Sequence, residues 1–201
     1  MRYLNWSVNG IWITTAGMVA FVETTNRFIK IKGESRLIEV LMKSPITNLE
    51  IISTIMLRGI ICGFVQFLFS MLTTSILNHE YIDLINLLFI IIQMLVIISF
   101  FAVSGTFIGI IISNNTLFIY ISCIIFLIIT MGFGTFIPIN YYPDSYISVI
   151  EMVPILHVIQ NVQALISHNS IDWVGFFLTI FATIILLIAS LVISYQVFRK
   201  V

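Results

Sequence analysis

Charged residues are scarce in this chain, and their scarcity excludes most kinds of soluble protein. Only 9% of its 201 residues are Asp, Glu, Lys or Arg, whereas soluble domains carry roughly 25%. Hydrophobic residues make up 60% of the sequence, and the mean hydropathy is +1.13. The composition therefore indicates an integral membrane protein. Because the nine basic and nine acidic residues cancel, we do not expect nucleic acid as a partner.

The cysteines and glycines of the chain also lack the spacing that a disulfide, a metal site or a phosphate-binding loop would need. Cys62 and Cys123 lie in apolar runs, so we expect small buried hydrophobes rather than a disulfide or a metal site. The chain has no G-x-x-x-x-G-K-[ST] phosphate loop, because Lys43-Ser44 lacks the glycines. Ser104 in AVSG lacks the G-x-S-G context of intramembrane proteases. We therefore predict that the chain is not an enzyme and holds no cofactor or metal.

Long apolar runs make up most of the sequence. A helix needs about 20 apolar residues to cross the hydrocarbon core, and only helices or closed barrels satisfy the backbone there. The alternation typical of barrel strands is absent. We predict an all-α, polytopic membrane protein with about five transmembrane helices in one domain, at residues 3–22, 51–77, 84–112, 117–136 and 173–198.

Two polar residues inside these spans have alternative interpretations. Asn9 lies in the most polar span, where such side chains usually bond to neighbouring helices; a substrate-lining role is the alternative. Arg58 lies about 10 Å inside its span, at 1.5 Å per residue. It is expected to reach the head groups or form a structural ion pair, or else to take part in gating or the substrate path.

The charge that exists is concentrated in one stretch, Glu23–Glu50, which holds five of the nine Lys and Arg residues. The C-terminus holds two more, and the connection Pro138–Asp172 holds none. Loops rich in Lys and Arg stay in the cytoplasm. We therefore predict a plasma-membrane protein with the charged stretch and the C-terminus in the cytoplasm, and the 137–166 segment outside.

Within this stretch, apolar residues recur at helical spacing and predict an interfacial amphipathic helix at about residues 26–43. Gly33 weakens that helix by about 1 kcal/mol relative to alanine, so a bend is expected there. Ser44-Pro45 ends it, since the residue before proline avoids helical angles. Thr47 or Asn48 is predicted to cap the next helix, with Glu50 in its first turn.

Proline and glycine mark two further features. Pro138, Pro143 and Pro154 break the apolar segment 137–166, which predicts a re-entrant outer hairpin of two short helices. Its three tyrosines, at positions 141, 142 and 146, suit an aromatic belt, with substrate stacking as the alternative. Glycines spaced four residues apart predict close helix packing, at Gly59 with Gly63 and at Gly105 with Gly109.

The string KGESRLIEVLMKSPI, followed by a polar cap and a new span, resembles the membrane subunits of ABC exporters of the ABC-2 type. That family carries an E-x-x-G-T-L-E-x-L-L-x-[ST]-P-[IV] pattern between two spans. Ser104-Gly105 with Gly109 is similar to a small-residue motif of the family. GTFIPINYYP followed by VPILHVIQNV resembles its broken outer hairpin, although Gln163-Ala164 stand where the family often has arginine. The matching positions of the first pattern are Gly33, Leu37, Glu39, Leu41, Ser44, Pro45 and Ile46.

The resemblance implies roles for three groups of residues. The coupling helix would dock on an ATP-binding subunit through Gly33, Glu34, Arg36, Glu39, Lys43, Ser44 and Pro45. The outer hairpin would be shaped by Pro138, Tyr141, Tyr142, Pro143 and Pro154. Helix packing would depend on Gly59, Gly63, Gly105 and Gly109. Family members usually have six spans, and the first span here looks like their second, so the chain would lack their first transmembrane helix.

The function that the resemblance implies is a permease subunit for ATP-driven export. A separate ATP-binding subunit would dock on residues 26–48, and ATP and Mg²⁺ would bind in that partner. Two copies, or one copy with a related permease, would enclose the transport path. The alternative is a non-transporting accessory or scaffold subunit, or an inactive truncated permease.

Overall fold

A computed structural model describes residues 3–33, 47–78, 84–167 and 171–199. All regular secondary structure in these ranges is helical. The all-α prediction is therefore confirmed. The described residues form seven α-helices: α1 (Tyr3–Gly33), α2 (Asn48–Asn78), α3 (Leu84–Ile111), α4 (Asn115–Leu127), α5 (Asp144–Ile150), α6 (Pro154–Ser167) and α7 (Trp173–Arg199).

Within the part of the chain that the structure describes, four helical segments are long and apolar enough to cross a membrane. They are Asn48–Ile76, Leu84–Ile111, Asn115–Gly132 and Trp173–Tyr195. The bent pair α5 and α6 counts as a fifth if it is one broken span. These are the helices of a multi-pass membrane protein. The first predicted span lies within α1, which is helical but less apolar than the other four.

The least apolar long helix occupies the centre of the bundle. α1 packs along its length against both α2 and α3. Its side chains Trp12, Ile13 and Phe21 are buried in the main core, and so are the polar Asn9 and Thr14. The surrounding helices turn large hydrophobic side chains outward. These two polar residues of α1 are thus enclosed within the bundle, as is usual for polar side chains of helices packed in a membrane.

The glycines of α2 let its backbone approach α1 closely. A Cβ atom built on Gly63 would lie 2.9 Å from the carbonyl oxygen of Ala16, and one on Gly59 would lie 3.1 Å from that of Ala20. Both are backbone atoms that cannot move aside independently. The pair therefore forms a contact surface for α1.

The second glycine pair does the same from α3. A Cβ on Gly105 would lie 2.5 Å from the carbonyl oxygen of Phe21, and one on Gly109 would lie 3.1 Å from Cα of Thr25. The close approach also permits an interhelical hydrogen bond, in which the Thr25 hydroxyl donates to the carbonyl of Gly105 at 2.9 Å. Both glycine pairs thus lie against the same central helix.

The boundary predicted for the coupling helix is wrong at its start. α1 continues without a break from residue 22 to Gly33, so residues 26–33 are the end of the first helix. The physical reason is packing, since Phe28 and Ile29 are buried and hold the helix against the bundle. The remainder of the predicted coupling helix, residues 34–43, lies outside the described residues.

The two cysteines are not the buried hydrophobes that we predicted. Cys123 is exposed and Cys62 is only partly buried. The cause lies in the helices that carry them, because α4 has no buried residue and α2 turns the Cys62 face away from the core. An apolar run in a membrane protein predicts contact with lipid as readily as burial in protein.

Gly105→Ala should destabilise the bundle. The added methyl group would overlap the carbonyl of Phe21, and overpacking of this kind costs about 1–3 kcal/mol, more than the roughly 1 kcal/mol that alanine adds in helix propensity. The measurement is the temperature at which the detergent-solubilised protein loses its size-exclusion peak. Gly33→Ala is the matched control, because nothing lies within 4 Å of its Cβ position. Equal midpoints for the two variants would contradict the close-packing role.

Candidate functional site

The end of the bundle that carries the charged stretch brings together the two helices that flank residues 34–46. α1 and α2 are antiparallel, since Gly59 lies against Ala20 and Thr24, whereas Thr74 lies against Trp12. The C-terminus of α1 is therefore near the N-terminus of α2. We call this region the charged end.

A capping box starts α2 at the charged end. The Glu50 carboxylate accepts a hydrogen bond from the backbone N–H of Thr47 at 2.8 Å, and the Thr47 hydroxyl accepts one from the N–H of Glu50 at 3.3 Å. This reciprocal pair satisfies two donors that the helix leaves open. The predicted cap is confirmed with Thr47 as the capping residue, and α2 thus has a defined first residue.

Lys32 attaches the end of α1 to the end of α3. Its ammonium donates to the carbonyl oxygens of Ile110 and Ile112, the latter at 3.2 Å. Carbonyls at a helix C-terminus lack partners within the helix and attract cations. Burial lowers the pKa of the Lys32 ammonium, which lies beyond the predicted 3–22 span. Sequence reasoning missed this contact, although a lysine near the end of an apolar helix was visible.

Arg58 forms the structural ion pair that was one of its two interpretations. Its Nε lies 2.6 Å from Oε1 of Glu23, and the two side chains remain 50% and 28% exposed. The pair joins α1 to α2 about ten residues from the ends that meet at the charged end. Since both groups stay partly exposed, the pair orients the helices more than it stabilises them.

Only one predicted coupling residue falls within the described chain. Gly33 is the last residue of α1 and is exposed. Six others lie outside the described residues: Glu34, Arg36, Glu39, Lys43, Ser44 and Pro45. What the structure gives is the anchoring of the two helices on either side of them, through Lys32 and through the Thr47 cap.

At the opposite end of the bundle, all three prolines lie at element boundaries. Pro138 precedes a short 3₁₀ helix, Ile139–Tyr141, Pro143 precedes α5, and Pro154 begins α6. α5 and α6 are bent by 108° from one another. The two short helices expected between residues 137 and 166 are therefore present. We call residues 133–167 the broken segment.

The broken segment begins where α4 passes into a π-helical turn, Ile128–Gly132. The phenol of Tyr142 donates to the carbonyl of Met131, and that of Tyr146 donates to the carbonyl of Gly132 at 3.1 Å. The two rings stack with centroids 5.1 Å apart. These tyrosines thus satisfy backbone groups that the ending helix leaves open. Tyr141, by contrast, is 81% exposed.

Gln163 holds the turn after the π-helix, a role that sequence reasoning missed. Its Nε2 donates to the carbonyls of Gly134 at 3.0 Å and Thr135 at 3.1 Å. Gly134 has a φ of +70°, which favours glycine. The indole of Trp6 also donates to the carbonyl of Gly134, at 3.2 Å. Gln163 is thus a structural amide that braces this turn.

A second missed contact joins α6 to α7. Nδ1 of His157 lies 3.2 Å from the Asp172 carboxylate, and Asn161 exchanges two hydrogen bonds with the Asp172 backbone, at 2.8 and 3.0 Å. Oδ1 of Asp172 also caps α7. The hydroxyl of Ser104 takes no part in this contact and donates instead to the carbonyl of Phe100. No group of three metal ligands occurs in the described ranges.

Gln163→Leu should destabilise the broken segment. The change removes the Gln163 donor from both carbonyls; Gly134 keeps the Trp6 indole, whereas the carbonyl of Thr135 loses its donor, and an unsatisfied buried group costs about 1–3 kcal/mol. Limited proteolysis of the solubilised protein, followed by mass spectrometry, should find faster cleavage near Gly134. Gln160→Leu is the matched control, because Gln160 lies on the same helix but is only partly buried. Equal cleavage in both variants would contradict the bracing role of Gln163.

Comparison with known proteins finds no matching family model, no similar curated protein and no similar solved structure.

Proposed function

We propose that this chain is the membrane-spanning permease subunit of an ATP-driven ABC-type exporter. A separate ATP-binding subunit docks on residues 26–48 from the cytoplasm and binds ATP and Mg²⁺. The chain contributes no hydrolytic site of its own. Two copies, or one copy with a related permease, enclose the path in the plasma membrane.

The observation that carries this proposal is the anchoring of the helices that flank residues 34–46. Lys32 attaches α1 to the end of α3, and the Thr47–Glu50 box fixes the start of α2. Both helices then meet along the Gly59 and Gly63 contacts. Because both flanking helices are attached to the bundle, a displacement of the segment between them also moves the bundle. If the helices were unattached, the displacement would move only the segment.

The mechanism follows from this connection. Closure of the ATP-binding subunits on ATP displaces the docked segment. The displacement reaches α1 through Gly33 and α2 through Thr47. Because α1 and α2 are packed backbone to backbone, they move as one body, and the movement changes which side of the membrane the path opens to. This is alternating access by tilting packed helices.

Co-purification tests the proposal directly. We expect the tagged chain, extracted from native membranes in a mild detergent, to bring down a polypeptide with a phosphate loop, detected by mass spectrometry. The complex should hydrolyse ATP, and vanadate should inhibit the hydrolysis. An extract with intact permease and no such ATPase would overturn the exporter assignment and favour an accessory subunit.

Substitutions in the docking segment should weaken that association. Glu39→Ala or Ser44→Ala should lower the co-purified ATPase about tenfold or more, because a hydrogen bond to a charged group contributes about 1.5–3 kcal/mol. Expression of the chain should stay unchanged. Glu151→Ala is the matched control, since Glu151 is an exposed carboxylate in the broken segment. Undiminished ATPase in the first two variants would remove the docking role from residues 26–48.

A further inference from the structure

Five polar side chains lie along the line where α1 and α2 meet, beside exposed apolar ones such as Ile11 and Phe69. Glu23 of α1 pairs with Arg58 of α2, and further along the same two helices the Thr15 and Ser70 hydroxyls lie 2.9 Å apart. Gln66 lies one turn from Ser70, with its Nε2 at 3.5 Å from the Ser70 hydroxyl. We call these five residues the polar seam.

The polar seam is not fully covered by the rest of the chain. Arg58 is half exposed, and Thr15 and Gln66 are only partly buried. Gln66 lies near the middle of α2, a helix long enough to cross the membrane. Its one contact with Ser70 is at the outer limit of a hydrogen bond. An amide at that depth is costly to leave against hydrocarbon, by about 2–7 kcal/mol when unpaired.

The opposite flank of α2 is apolar, as expected for a surface that faces lipid. A groove of about 300 Å³ lies between α2 and α7 and is almost entirely apolar. Ile52, Met56 and Ile60 line it from α2, and Leu187 and Leu191 line it from α7. The residues that line this groove include no charged or amide side chain, whereas the other flank carries Arg58 and Gln66 beside exposed apolar residues such as Phe69. The two flanks are therefore not expected to have the same surroundings.

The seam is complementary to itself. A symmetric dimer of a membrane protein in one orientation has its two-fold axis along the membrane normal, so each residue meets residues at its own depth. Glu23 and Arg58 of one copy would then meet Arg58 and Glu23 of the other. Gln66 would meet the second Gln66, and an amide both donates and accepts hydrogen bonds.

We propose that the polar seam is the surface on which a second copy of this chain docks. The seam buries its exposed charges and amides against their counterparts, and the apolar flanks of α2 and α7 remain in lipid. This inference rests on the two-copy arrangement proposed above and names the face at which the copies meet. Under that arrangement, the export path runs along the seam.

The two native cysteines distinguish the seam from another face. Cys62 lies on α2 between Arg58 and Gln66, at one turn from each, whereas Cys123 is exposed on α4. Membranes that contain the full chain are treated with a short bismaleimide, and the products are separated on a denaturing gel. We expect a cross-linked dimer in the wild type and in Cys123→Ser, and its loss in Cys62→Ser.

A matched pair of new cysteines makes the result independent of Cys62 reactivity. In the Cys62→Ser, Cys123→Ser background, Gln66→Cys should restore the cross-linked dimer. Leu68→Cys should not, because Leu68 is exposed on the other side of α2. Cross-linking through Leu68→Cys or Cys123, or no dimer with any variant, would overturn the proposal that a second copy docks on the polar seam.

The outcomes separate this inference from the proposed function. A dimer that cross-links through Cys123 overturns the seam as the docking face and leaves the two-copy exporter standing. A dimer that cross-links through Cys62 without any co-purified ATPase supports the seam and overturns the exporter. A Cys62 product whose second member is a different protein also overturns the inference, since the partner is then not a second copy.

Discussion

Backbone-to-backbone contact between the central helix and its two neighbours is the interaction on which the rest of the bundle depends. Gly63 and Gly105 bring the chains of α2 and α3 against α1 at distances that leave no room for a methyl group. In lipid there is little hydrophobic drive between helices, so packing and interhelical hydrogen bonds must supply the association. The Gly105 contact also covers the hydroxyls of Thr24 and Thr25, both of which are fully buried.

The two ends of the bundle satisfy open backbone groups with different kinds of side chain. A helix that stops inside a membrane protein leaves carbonyls or N–H groups without partners. At the charged end, the partners are ionic side chains, with Lys32 on the last carbonyls of α3 and Glu50 in the capping box. At the broken segment, they are neutral donors, chiefly Tyr146 and Gln163. Neutral donors suit a segment that is largely apolar, because they carry no desolvated charge.

Much of the fold was predictable because hydropathy and helix breakers act locally. The apolar runs, the prolines at 138, 143 and 154, and the Thr47 cap all appear where the sequence places them. Partners across the bundle were not predictable, since Gln163 with Gly134 and Lys32 with Ile112 are 29 and 80 residues apart. The continuation of α1 past residue 22 depends on tertiary burial of Phe28, which charge patterning could not reveal.

The length of α1 has a consequence of its own. Its 31 residues extend about 46 Å at 1.5 Å per residue, beyond the roughly 30 Å of a hydrocarbon core. Lys32 near one terminus touches the end of α3, and Trp6 near the other touches the turn at Gly134. α1 is therefore one continuous helix with a contact to another part of the bundle near each of its ends. A rigid tilt of this helix would move both contacts together.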